Sequence, residues 1–315
     1  MTESHPGATR VSHEVTVDAP AEDVYRLLAD LANWPWMFRA FVHAEVIGRQ
    51  GAFERVGMWT TSGDRVEHWL ALRRLDEAAL RIDFRPEDPA PPLASMERSW
   101  VVEPVTAHRC TVRLLHGFTL TVDDPGALEA TRGVIDTVAD AETSAVRAAA
   151  ELTAREPELL VVVTDTVPVA ASAEAVYDAL YDVPDWPGFL PHVARAEALQ
   201  DEDGLQLVEV DTVENGGGLL TMRTARAGLP HRGIAYKQLR LPPIGSSHTV
   251  GWHIEPTGTG VEVTSRQTVV VRREGIARLL GDGKGTAEAT AFIQRELSAK
   301  VRLILDGVKR HVEGG

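Results

Sequence analysis

Three side chains in the first half of this 315-residue chain could move protons and stabilise developing charge: His116, Arg73 and Glu142. His116 lies in the run Val112 to Phe118, where Val112, Leu114, His116 and Phe118 share one face by the period-two alternation of a strand. That face is apolar, so the imidazole points inward, either as a satisfied core group or as a general base whose pKa sits near working pH. Arg73 shares a strand face with Trp69 and Ala71, and the opposite face holds Leu70, Leu72 and Arg74. Parity leaves open which arginine enters an interior and whether either is more than a solvated strand face. Glu142 stands on an alanine-rich helical stretch and is undistinguished by itself. Five of the seven tryptophans, Trp34, Trp36, Trp59, Trp69 and Trp100, fall in the first half. With Phe38, Phe41, Phe84 and Phe118 they either wall a pocket for a flat, oxygenated molecule or fill an ordinary core.

Other chemistries lack support. Gly281 to Thr286 has a phosphate-loop look, but position 278 is Arg where the first glycine should be. No H-E-x-x-H or G-x-S-x-G occurs. His248 and His253 are five apart on an expected strand and face opposite ways. Asp201 to Gly204 lacks the spaced ligands of a calcium loop. A single cysteine, Cys110, excludes an intrachain disulfide and a cysteine-built zinc site. No metal site is therefore expected. The net charge of −14 argues against a nucleic-acid groove as the main business. No stretch is long and apolar enough for a transmembrane helix, and the polar MTESHPGATR lacks an apolar leader region, so the expectation is a cytoplasmic protein.

The elements that must position these residues occur twice. Displaced by 152, the sequence matches itself at twelve of the 29 positions from Val17 to Glu45, among them Tyr25/Tyr177, Leu28/Leu180, Trp34/Trp186 and Pro35/Pro187. The same displacement sets Trp100-Val-Val-Glu-Pro104 on Trp252-His-Ile-Glu-Pro256. A repeat this long is a domain. Two tandem domains follow, 1–156 and 157–315.

Each copy reads as a strand (11–17; 160–169), a short helix, strands to about 121 or 272, and a long helix (125–155; about 286–312). Asp18 is expected to cap the first helix, with Pro20 in its first turn, and Trp34-Pro35 to stop it. Leu128, Ile135, Val138 and Val146 are the expected apolar face of the first long helix. Phe292, Ile293, Leu297, Val301, Ile304, Leu305 and Val308 line the second. Ser62 to Asp64, Asp203-Gly204 and Gly216 to Gly218 are turn chemistry. The order is α+β, a curved antiparallel sheet around a long helix, with a cavity between them.

The Ala-Pro-x-x-x-Val-Tyr helix, Trp34-Pro35 and the strand Glu67-His-Trp-Leu-Ala-Leu-Arg73 resemble bacterial aromatase/cyclases of type II polyketide synthases. Those are helix-grip (Bet v1/START-like) proteins, and the tandem arrangement resembles their di-domain subclass. The resemblance implies cyclisation and dehydrative aromatisation of a poly-β-ketone tethered to an acyl carrier protein, with the C7–C12 ring first and no cofactor. It implies partners among the synthase components. It places the family's pocket arginine at Arg73, its catalytic histidine at His116, its helix acid at Glu142 and its pocket tryptophans at Trp34 and Trp100, with Trp69 beside Arg73. Phe41 stands where some members carry a pocket tyrosine.

The second copy departs from this pattern. A constant displacement puts Ala225 opposite Arg73 and Thr268 opposite His116, with Gln267 beside it. Trp186 and Trp252 remain, and Arg223, Tyr236 and Arg266 are the candidate substitutes. The expectation is that the first copy carries the principal cyclisation, while the second supports it, binds, or handles a later dehydration. The rival reading is an apolar-ligand carrier without chemistry, since a helix-grip fold alone does not choose. An acidic carrier protein would need a local basic patch, either Arg272, Arg273, Arg278 and Lys284, or Arg73, Arg74, Arg81 and Arg85.

Overall fold

The computed structural model describes residues 8–213 and 217–314. The start of the polar N-terminal segment and Gly216 of the glycine turn lie outside the described residues. The chain divides into two compact units. One holds the residues up to Phe38, Ala44–Met58 and His68–Glu156; the other holds Arg39–His43, Trp59–Glu67 and the residues from Pro157 onward.

The first half runs β1 (Thr9–Val17), α1 (Ala21–Ala29), a 3-10 turn, α2 (Trp34–Met37), β2 (Phe41–Gln50), β3 (Phe53–Ser62), β4 (Arg65–Asp76), β5 (Arg81–Pro86), β6 (Leu93–Thr106), β7 (Arg109–Leu120) and α3 (Pro125–Arg155). The second repeats it as β8 (Leu160–Val169), α4 (Ala173–Tyr181), α5 (Trp186–Phe189), β9 (Val193–Glu202), β10 (Leu205–Val213), β11 (Leu219–Leu229), β12 (Gly233–Gln238), β13 (Gly245–Thr257), β14 (Gly260–Val271), α6 (Arg273–Leu280) and α7 (Thr286–Glu313). Two seven-stranded antiparallel sheets result, ordered β1-β7-β6-β5-β4-β3-β2 and β8-β14-β13-β12-β11-β10-β9. This is a helix-grip fold made twice.

Local chemistry explains the boundaries and corrects several expectations. Pro20, without a side-chain cap, precedes α1. Asp18 is engaged elsewhere: its carboxylate accepts from Arg109 at 2.6 Å and Arg155 at 2.7 Å, and these bonds hold its pKa below the usual carboxylate value. Trp34-Pro35 does not end helical structure but opens α2, with proline in the first turn, where no amide donor is needed. The Trp34 indole N–H donates to the Leu28 carbonyl at 2.9 Å, tying α2 to α1. Asp124 caps α3 by accepting from the amides of Gly126 and Ala127. The inner stripe of α3 is made of Ile135, Ala139, Thr143, Val146, Ala149 and Ala150. Leu128 and Val138, expected on that face, are 36% and 45% exposed. Small residues win the inner positions because they let the helix lie close to the sheet. Helix α6 was not expected from the sequence. Its Gly275 seats against Ile244, where an added Cβ would lie 2.6 Å from the Ile244 Cα. Asp203 and Gly204, at φ +52° and +81°, make the anticipated tight turn between β9 and β10.

In the second unit Val176, Leu180, Trp252, Ile254, Val263, Val301, Leu305 and Val308 form one core between sheet and α7. Helix α7 approaches closely at Gly307, where a Cβ would lie 2.2 Å from Leu190 Cδ2.

Candidate active site

Strand register places the sequence candidates of the first unit in one line. Arg73 stands opposite Phe84, Phe84 opposite Arg98, Arg98 opposite His116, and His116 opposite Val11. Directly paired residues project from the same face of a sheet, so this is a transverse row. Arg98 ion-pairs with Glu142 on α3, so the row faces the helix. Strands lie about 4.8 Å apart, which separates Arg73 from His116 by roughly 14 Å along the row.

Arg73 is buried and fully oriented. Its Nε and Nη2 donate to Glu54 Oε2 at 3.0 and 2.6 Å, and its Nη1 donates to the Ala29 carbonyl at the end of α1, at 2.7 Å. Two of the five guanidinium N–H groups remain for another acceptor. His116 is 5% exposed, and its Nδ1 is buried without a hydrogen-bond partner. Burial, and then the charges of Arg98 and His13, push its pKa down to about 3, well below the working-pH value expected of a general base, so the imidazole is neutral at pH 7. His13 meets it edge-on at 6.4 Å between ring centroids and bonds Asp136 Oδ1 through Nε2 at 3.0 Å. Arg98, His13 and Asp136 were not singled out from the sequence. The signal for Arg98 was available in its even spacing from Trp100 on one strand.

The first-unit aromatics pack on one another. Trp34 meets Phe38 edge-on at 5.3 Å, Phe84 lies 5.2 Å from Trp34, and Phe38 stacks on Trp100 at 6.2 Å. Phe41 is buried at the start of β2, and Trp69 is half-buried on β4. Of the two basic patches expected, Arg73 to Arg85 is partly offset: Arg73 is buried on Glu54, Arg74 and Arg81 share the single carboxylate of Asp83 at 2.7 Å, and Arg85 is exposed. Arg272, Arg273, Arg278 and Lys284 are exposed around α6.

The second unit has its own row: Arg226, Tyr236, Val250, Gln267 and Val163. The paired tryptophans Trp100 and Trp252 fix the alignment, since each stands opposite an isoleucine, Ile82 or Ile234. Arg226 is thus the counterpart of Arg73, 153 residues on, and Gln267 is that of His116, 151 on. Ala225 and Thr268 are one residue off. The cause is local. The turn between β4 and β5 has residues 77–80 where the second unit has only 230–232. A bulge at Val105 in β6 has no counterpart in β13. Arg226 repeats the anchoring of Arg73: it donates to the Leu180 carbonyl at 2.6 Å, the Tyr181 carbonyl at 3.3 Å and Gln206 Oε1 at 2.8 Å. Its guanidinium lies 5.6 Å over the Trp186 ring. Burial lowers its pKa to about 10, which leaves it charged at pH 7.

A cavity of about 440 Å³ opens between this sheet and α7. Arg226, Tyr236, Trp186, Trp252, His248 and Gln267 line it. Val213 and Leu303, 47% and 53% exposed, border its mouth. Tyr236 is held neutral, because burial raises its pKa. Arg223 and Arg266 do not reach the cavity. They occupy the opposite strand parity from Arg226 and Gln267; Arg223 faces Glu209 at 3.7 Å, and Arg266 is exposed. Among the described residues, no group of three or more His, Cys, Asp or Glu side chains could hold a metal ion, and no helix is long and apolar enough to cross a membrane.

Comparison with known proteins agrees with this architecture. The family described as polyketide cyclase / dehydrase and lipid transport matches residues 8–151 and again 161–313. The granaticin polyketide synthase bifunctional cyclase/dehydratase of Streptomyces violaceoruber is 35% identical over 293 residues, 93% of this chain and 90% of that one. The actinorhodin counterpart of Streptomyces coelicolor is 33% identical, covering 96% of each chain. Among solved structures, the di-domain ARO/CYC BexL from the BE-7585A pathway superposes with a TM-score of 0.92 at 38% identity, covering 97% of this chain and 99% of that one. The di-domain ARO/CYC StfQ from the steffimycin pathway gives 0.86 at 31%, covering 96% and 98%. The chain belongs to the polyketide cyclase/dehydrase family, in its two-domain aromatase/cyclase form.

Proposed function

We propose that this chain closes and aromatises the first ring, C7–C12, of a poly-β-ketone carried on an acyl carrier protein of a type II polyketide synthase. The domains are 1–156 and 157–315, and the first carries the ring closure. One observation carries this reading: the row Arg73, Phe84, Arg98 and His116 combines fixed cations with a neutral imidazole on the face beneath α3.

His116 takes a proton from the carbon between two carbonyls. Arg98, next to it in register, stabilises the enolate oxygen, and Arg73, with two free N–H groups, holds a second carbonyl oxygen along the chain. Glu142 orients Arg98 and offsets its charge as the imidazolium forms. The enolate carbon attacks a carbonyl carbon of the same chain, and the alkoxide takes the proton back from the imidazolium. Loss of water follows. The aromatic walls Trp34, Trp69 and Trp100 restrict the conformers that react, so regiochemistry is a matter of near-attack geometry. Trp186, Tyr236 and Trp252 contribute the second unit's binding surface, with Arg226 in the position sought for Arg223 or Arg266.

The test is reconstitution of the full-length chain with a minimal synthase and carrier protein. The expected product carries the C7–C12 ring, and Arg73→Ala and His116→Ala give shunt products instead. An unchanged product profile in both variants would overturn the assignment.

A further inference from the structure

The second cavity contains a histidine whose proton placement is dictated by its neighbours. Gln267 Nε2 donates to the Leu297 carbonyl of α7 at 3.3 Å. A carbonyl only accepts, so the amide nitrogen of Gln267 faces α7 and its Oε1 faces away. That Oε1 lies 3.0 Å from His248 Nε2. An amide oxygen only accepts, so His248 Nε2 carries the hydrogen and Nδ1 carries the lone pair. The two side chains are diagonal neighbours across β13 and β14, where His248 pairs with Val269 and Val250 with Gln267. His248, Gln267, Arg226 and Tyr236 all line the same cavity. The position matching His248 in the first unit is Met96, so this arrangement is not a copy of His116. The residue that replaced His116, Gln267, has become the partner that orients a histidine one strand away.

We propose that His248 is the proton carrier of a second catalytic site, which dehydrates the ring carbinol left by cyclisation; this rests on the cyclase reading above. His248 Nδ1 takes the proton on the carbon beside a ketone, and the electron pair moves into an enolate held by Arg226. The enolate collapses, the bond from carbon to the β-hydroxyl breaks, and the hydroxyl leaves as water with the proton returned from His248. One C–H and one C–O bond are lost, one C=C bond forms, and no oxidant or co-reactant is needed. Gln267 is a positioning residue that sets the tautomer. Burial, with Lys300 nearby, drives the His248 pKa down to about 4, so the imidazole is neutral at pH 7.

The experiment uses the full-length chain with a minimal synthase and carrier protein, and scores cyclised carbinol against dehydrated ring. His248→Gln should retain ring closure and slow dehydration by about 100-fold or more, so that carbinol accumulates. Gln267→Leu should lower kcat for dehydration by about 10-fold with KM unchanged. A wild-type ratio in His248→Gln overturns the proposal, whereas no ring from the wild-type chain overturns the cyclase reading instead. Independently of folding in either variant, ¹⁵N NMR of the wild-type chain should show His248 as the Nε2–H tautomer; an Nδ1–H tautomer overturns it.

Discussion

The two rows of residues across the two sheets begin alike and end differently. Arg73 and Arg226 each bind carbonyls at the end of the first helix of their unit, and each takes a side-chain oxygen from the same neighbouring strand, Glu54 or Gln206. Further along, the first row carries Arg98 and His116 where the second carries Val250 and Gln267. The arginine is therefore part of the architecture.

The anchors supply the largest test of this comparison. Arg73→Ala leaves the Glu54 carboxylate, 16% exposed, with only the exposed Arg49 at 3.4 Å, and should cost about 3–5 kcal/mol. Arg226→Ala leaves a neutral amide and two carbonyls, and should cost about 1–3 kcal/mol. Denaturant unfolding of both variants checks the ranking, and equal losses would mean that the Glu54 pair adds nothing. Next in size is Gly307→Ala in α7, expected to destabilise by about 1–3 kcal/mol through its clash with Leu190. The double variant with Leu190→Ala should not show that clash, so non-additivity in a double-mutant cycle is the readout.

The last test concerns pH. His116 and His248 stay neutral in the folded chain, with pKa values near 3 and 4, while the unfolded chain takes up their protons below about 6.5. The unfolded state then binds more protons, so stability falls as pH drops from 6.5 toward those values, by up to about 1.4 kcal/mol per pH unit for each histidine. His116→Gln should flatten the curve down to pH 3, and His248→Gln only down to pH 4. Parallel curves for wild type and both variants would break the assignment of two buried neutral histidines.

Much of this was legible beforehand. The 152-residue repeat, the strand at 160–169 and the helix starting at Pro125 follow from identity, alternation and capping chemistry. The inward face of His116 follows from parity. What escaped the sequence has specific physical causes. Arg226 was missed because a shortened turn shifted the register of β11, and Thr268 stood in for its neighbour Gln267 because a bulge at Val105 shifted β7. The Arg98–Glu142 pair joins residues 44 positions apart through a helix crossing that no periodicity encodes. Capping by Asp18 was a reasonable local reading, but two distant arginines offered that carboxylate stronger bonds.

The one-residue difference between the β4–β5 and β11–β12 turns also sets a rule for recombining the two halves. A one-residue slip sends every side chain of a strand to the other face. A hairpin exchanged between the units must therefore carry its own turn, residues 77–80 or 230–232. Cut within the strands at a fixed spacing of 152, a chimera would turn its arginine outward and lose the hold on the helix end. Cut at the turns, it would move an intact row of side chains from one sheet to the other.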